Sequence, residues 1–284
     1  MTPEVATADG LFVGILVNLA AMDESELDQW DPAVTRQMRS LAGPIAKWWF
    51  RSEVRGLENI PDDGGALVVS NHSGGMLTPD VLVFAPEFYR HFGYGRPLYT
   101  LAHYGVLLGP TGDMFRRLGV IHASRQNAAA ALDSGAVVLV FPGGDYDVYR
   151  PTAEANTIDF NGRTGYVRTA LTAGVPIVPT VSIGAQESQL FLTRGNWLAK
   201  RLGLPRIRLD ILPVSIGFPF GLSVLVPPNL PLPTKIVTEV LPPIDITARF
   251  GADPDVHEVD AHIRGVMQTA LDRLAAQRRF PILG

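Results

Sequence analysis

Apolar positions in the first fifty residues are scattered at helical spacing and end on the aromatic cluster Trp48-Trp49-Phe50, which predicts a helical extension over residues 1–52. The cluster is expected to pack onto the domain that follows. From residue 53 the texture changes. Short apolar runs with strand character, ALVVS (66–70), VVLVF (137–141), PIVPTVSI (176–183) and KIVTEV (235–240), alternate with helical segments at 124–133 and 164–173. That alternation argues for one α/β domain over residues 53–284, a sandwich whose largely parallel central sheet is flanked by helices, with a closing helix at 256–279. In such sheets, sites form where strands run out into loops.

Two uncharged stretches bear on membranes. LFVGILVNLAAM (11–22) has twelve residues and is followed by acids, short of the roughly 20 a spanning helix needs. The stretch 212–233 has the length of a span but holds six prolines and two glycines, so it reads as strands and turns, with contact to lipid left open. The start MTPEVATADG lacks the basic region of a signal peptide, and a cytoplasmic location is expected.

With no cysteine in 284 residues, disulfides, thiolate metal sites and thiol nucleophiles drop out. The net charge of -4 gives no footprint for nucleic acid. Arginines number 21 against three lysines, which favours planar, bidentate contacts wherever an anion is bound, unless the bias is one of codon usage. No Walker A loop, dinucleotide fingerprint or G-x-S-x-G elbow is present. His257 and His262, five apart beside Glu258, diverge around a helix and read as solvated residues, so no metal site is expected.

The chemistry gathers in SNHSGGMLTPD (70–80). His72 falls where the ALVVS strand ends, and Thr78-Pro79-Asp80 has the form of a helix start: an N-cap, a proline at the first position and an acid in the first turn. A carboxylate there can accept the imidazole Nδ1 proton and leave Nε2 to act as a general base. On these residues alone, a histidine bonded to its own loop and an aspartate that only caps its helix fit equally well.

The stretch EVRGLENIPDDGGALVVSNHSGG (53–75) resembles the lead-in and first motif of the glycerolipid acyltransferase superfamily, the lysophospholipid and glycerol-phosphate acyltransferases. The resemblance extends to about residue 246. It implies that His72 activates an acceptor hydroxyl to attack an acyl thioester and that Asp80 orients it. The family usually has four residues between the two, a spacing at which this chain has Leu77 instead; seven separate His72 from Asp80. GVIHASR (119–125) resembles the second motif and implies that Arg125 contacts an acceptor phosphate. VVLVFPGGDYDVYRP (137–151) resembles the third, in the Pro-Gly-Gly form of the branch that includes diacylglycerol acyltransferase 2. There the resemblance implies substrate contacts at Pro142, Gly143 and Gly144 and support from Asp147, with Asp145 as the competing acid. Asn71, Ser73 and Gly74 are expected beside the substrate, Arg163 of NGRTGY (161–166) is a second anion-binding candidate, and Arg150 is a weaker one.

The resemblance implies an O-acyltransferase that uses acyl-CoA or acyl carrier protein as co-substrate and no cofactor, acting on a lysophosphatidic acid or lyso-phospholipid ahead of a neutral lipid, at a membrane surface. Backbone amides near Gly143 and Gly144 or in the 73–75 loop are candidates for holding the oxyanion. A lipid-binding protein or a lipid hydrolase on the same scaffold is the alternative. Oligomeric state is not legible.

Overall fold

A computed structural model of the chain describes residues 26–108, 110–207 and 209–280. The apolar run 11–22 lies outside the described residues. The described residues form ten strands: β1 (Glu53–Arg55), β2 (Ala66–Ser70), β3 (Leu98–Ala102), β4 (Val120–His122), β5 (Val137–Val140), β6 (Ile177–Ile183), β7 (Leu190–Thr193), β8 (Val214–Gly217), β9 (Gly221–Val224) and β10 (Val237–Val240). The helices are α1 (Pro32–Trp49), α2 (Pro79–Phe92), α3 (Gly112–Arg117), α4 (Arg125–Asp133), α5 (Gly144–Val148), α6 (Gly165–Ala173), α7 (Asn196–Arg201), α8 (Ile246–Phe250) and α9 (Val256–Gln277).

Seven strands form one sheet in the order β1-β10-β6-β2-β5-β3-β4, and β7-β8-β9 form a second, antiparallel sheet. Within the large sheet only the β10–β6 pairing is antiparallel. The unbroken apolar runs of β2 and β6 are explained by their position, since every residue of both strands is buried between two layers. Their side chains alternate between the layers. Leu67, Val69, Val138 and Ile177 pack toward Ile263, Met267 and Leu271 of α9, while Val68, Leu139 and Val178 pack toward Phe84 and Phe88 of α2.

The described part of the N-terminal extension is built into this body. Ala46 and Phe50 pack on Val83 and Ile236, and Trp30 stacks on Tyr89. Buried Glu26 accepts the His122 amide at 2.8 Å and the Asn127 side-chain amide at 2.9 Å. The aromatic cluster divides, however: Phe50 is buried, whereas Trp48 is 80% exposed, so packing accounts for only part of it.

Because β6, β2, β5, β3 and β4 run parallel, their C-terminal ends share one edge of the sheet. The histidine loop follows β2, the Pro-Gly-Gly loop follows β5 and Arg125 follows β4, so all three motifs leave the sheet on that edge. Leu139, fully buried under α2, should cost about 2–5 kcal/mol when replaced by Ala. Urea denaturation measures this, and a loss below about 1 kcal/mol would show that the two layers do not bear on β5 as described.

Candidate active site

The lengthened loop after β2 folds back on itself. Gly74 adopts a left-handed backbone (φ 87°), and a Cβ there would sit 2.4 Å from Pro79 Cδ, so only glycine lets the chain turn this tightly onto the start of α2. Thr78 caps α2, Pro79 takes its first position and Asp80 lies in the first turn, as the sequence predicts. The turn carries Asp80 to His72: Nδ1 and Asp80 Oδ2 are 3.0 Å apart. The same oxygen accepts the Ser73 amide at 2.7 Å and the Thr78 hydroxyl at 3.3 Å. An acceptor-only carboxylate at this spot makes Nδ1 the donor, so Nε2 presents its lone pair. Nε2 has no hydrogen-bond partner among the described residues. Asp80 is buried and its other oxygen has no partner among the described residues; the residue lines a small cavity with Ser70, Phe84, Leu139, Phe141 and Thr180.

The loop after β5 forms the floor. Phe141 stacks on the His72 ring, centroids 4.1 Å apart, and blocks one face of the imidazole. Asp147, one turn into α5, accepts the His72 backbone amide at 2.7 Å through Oδ2 and pairs with buried Arg150 at 2.8 Å through Oδ1. Burial raises the Asp147 pKa, against the opposing pull of Arg150 and the His72 amide. With both oxygens occupied, Asp147 supports the histidine, and Arg150 is spent on that support. Gly143 packs directly on Asp147, where a Cβ would come within 2.5 Å of its Cβ.

The remaining predicted residues divide between support and open surface. Asn71 is buried and bonds both atoms of its amide to the Ser182 backbone at 2.8 Å, which ties the end of β2 to β6. Ser73 spends its amide on Asp80. Arg163 donates to the Gly143 carbonyl at 2.8 Å and pairs with Asp145 at 2.7 Å, so it clasps the Pro-Gly-Gly loop; Asp145 is its exposed partner. Arg125 is exposed at the first position of α4 and makes no hydrogen bond or ion pair with any described residue. Of the amides near the histidine, that of Gly144 is bonded to the Phe141 carbonyl, while those of Gly74, Gly75 and Gly143 are not paired with any described residue. Pro142 is half-buried between Phe141 and Gly143. Among the described residues no cluster of His, Asp or Glu has the composition to hold a metal.

A family model described as Acyltransferase matches residues 51–183, which include the histidine loop, Arg125 and the Pro-Gly-Gly loop. An uncharacterized protein of Mycobacterium tuberculosis is 35% identical over 286 residues, covering 99% of this chain and 76% of that one. The chain belongs to the glycerolipid acyltransferase superfamily. A bovine protein named as a DGAT1/2-independent enzyme synthesizing storage lipids is 28% identical over 255 residues, covering 88% of this acyltransferase and 72% of its own length. The 1-acyl-sn-glycerophosphate acyltransferase PlsC of Thermotoga maritima has the same fold, with a TM-score of 0.54 over 94% of this chain and 90% of that one at 19% identity.

Sequence reasoning missed three parts of this acyltransferase site: the Phe141 ring beneath the imidazole, the bond from Asp147 to the His72 backbone, and the Asn71–Ser182 tie. The Asp147-Arg150 spacing of three, which suits a helical ion pair, was the one local signal available. Asp147→Asn should leave Arg150 buried without a countercharge and lower the unfolding free energy by roughly 3–5 kcal/mol. Urea unfolding checks this, and a cost under about 1 kcal/mol would mean the pair does not hold the loop.

Proposed function

We propose that this acyltransferase moves a fatty acyl group from an acyl thioester, carried by coenzyme A or acyl carrier protein, to the hydroxyl of a glycerolipid at a membrane surface. The observation that carries the reading is the 3.0 Å contact of His72 Nδ1 with buried Asp80, which leaves Nε2 unpartnered. Nε2 takes the acceptor hydroxyl's proton as its oxygen attacks the thioester carbonyl. Asp80 steadies the imidazolium that forms. The tetrahedral intermediate then collapses, the C–S bond breaks, and the leaving thiolate takes the proton from Nε2. Bonds and protons balance with the two substrates alone. The amides of Gly74, Gly75 and Gly143 are candidates to stabilise the oxyanion, because the Ser73 and Gly144 amides are already bonded.

For the acceptor, exposed Arg125 favours a phosphorylated or lyso-phospholipid, because a guanidinium without an internal partner can pair with a phosphate. A neutral acceptor is the second reading. It is favoured by the engagement of Arg163 with Gly143 and Asp145, which leaves one arginine where two were expected, and by the name of the bovine relative.

Purified protein incubated with labelled acyl-CoA and a panel of lyso-phospholipids, monoacylglycerol and diacylglycerol tests both readings. Acyl-lipid product is expected; free fatty acid alone would indicate hydrolysis, and binding without turnover a carrier. His72→Ala should lower kcat by about 10²- to 10⁴-fold or more in a folded protein, and retained activity would remove the mechanism. Asp80→Asn should show a large loss of the same origin; near-normal turnover would mean the carboxylate does not orient the base. Arg125→Ala should raise KM for phosphorylated acceptors and spare neutral ones, and equal effects on both would make the residue structural.

A further inference from the structure

The second sheet has its polarity turned inside out. A half-solvated antiparallel sheet normally directs apolar residues inward and polar ones to water. Here Ser215 and Ser223 face inward with their hydroxyls 3.0 Å apart, and buried Asn229 bonds Ser223 at 3.2 Å and the Gly221 carbonyl at 2.9 Å. Outward, Leu190, Ile216 and Leu222 form one row in cross-strand register, flanked by exposed Leu192 and Val224. The β8–β9 turn extends the face with Phe218, 71% exposed, and Phe220. The inward hydroxyl ladder holds this orientation, because a one-residue slip would expose the leucines' neighbours and strand the serine–asparagine bonds.

Charge along this segment is biased. Residues 190–235 carry six basic side chains and a single acid in the sequence of a chain whose net charge is -4; of the six, Arg194 and Lys235 pair with Glu154 and Glu53. Trp197 is 62% exposed on α7, next to exposed Lys200 and Arg201; neither cation pairs with an acid among the described residues. Beyond the sheet, the Trp49 indole donates to the Pro231 carbonyl at 3.0 Å, which brings the end of α1 and exposed Trp48 alongside. The inner side of the sheet touches the histidine loop: Phe191 lies against Gly75, where a Cβ would come 2.6 Å from its ring.

We propose that the outer face of β7-β8-β9, with the Phe218–Phe220 turn and the Trp197–Arg201 segment, is the surface by which the protein docks on an anionic lipid bilayer. Aliphatic and phenylalanine side chains enter the acyl boundary, the tryptophan takes the headgroup level, and the cations meet lipid phosphates. Because the same sheet backs the histidine loop, docking sets the site beside the lipid. The proposal rests on the acyl-transfer reading only for its purpose, since the surface is argued from polarity and charge.

Co-sedimentation with vesicles of phosphatidylcholine, alone or with about 30% phosphatidylglycerol, tests it. Phe218→Ser/Leu222→Ser replaces two exposed side chains and should lower the bound fraction about tenfold on both vesicles, with an unchanged circular dichroism spectrum. Lys200→Glu/Arg201→Glu should abolish the preference for phosphatidylglycerol. Transfer to a short-chain, water-soluble acceptor should stay within about twofold of the parent in both variants, which separates docking from catalysis. Vesicle binding by Phe218→Ser/Leu222→Ser equal to that of the parent would overturn the proposal. So would a parent that runs as a dimer on gel filtration and becomes monomeric in that variant, because the face would then cover a second copy. A parent that binds vesicles through this face but transfers no acyl group would leave the docking intact and remove the functional reading.

Discussion

One oxygen atom organises the site. Asp80 Oδ2 receives the His72 imidazole, the Ser73 amide and the Thr78 hydroxyl, and so closes a seven-residue gap into a single turn. A carboxylate can take this load because it stands in the first turn of α2, where the helix field favours an anion, and because it is buried, where hydrogen bonds to it are strong. The helix is in turn fixed by Val83, Phe84 and Phe88 against the sheet, so apolar packing far from the histidine decides where the acid points.

The imidazole is held at both ends. Its ring answers to Asp80 and its backbone to Asp147, which belongs to the loop of a neighbouring strand and is neutralised by Arg150. Phe141 closes the face beneath. These contacts leave the ring one unpartnered nitrogen, which is the arrangement a general base requires. Asn71 contributes from behind the strand by locking β2 to β6, and Asp147, expected to support the site, holds the histidine backbone.

Much of this was legible in the chain because it was local. The fully apolar runs of β2 and β6 marked central strands, and Thr78-Pro79-Asp80 marked the start of α2 to the residue. What depended on distant partners was hidden. Nothing in the neighbourhood of Arg163 tells that it clasps Gly143, 20 residues away, and nothing near Asn71 points to Ser182. Trp48 and Phe50 stand two residues apart and are chemically alike, yet one faces solvent and the other the core, a difference set by the direction in which α1 lies on α2. The alternating stretch around β8 and β9 reads as strands, but period alone does not say which face is inward, and here the serines turn in.

The proposed docking face and the histidine loop meet at Phe191 and Gly75, so the polarity of a peripheral sheet and the geometry of the histidine belong to one body. The 3.0 Å contact with Asp80 calls for the imidazole tautomer with the proton on Nδ1. The most direct measurement is the nitrogen-15 NMR spectrum of His72 at alkaline pH, where the ring is neutral. A protonated Nδ1, with its proton shifted downfield by the carboxylate, and an unprotonated Nε2 are expected; a proton found on Nε2 would mean that Asp80 does not orient the ring.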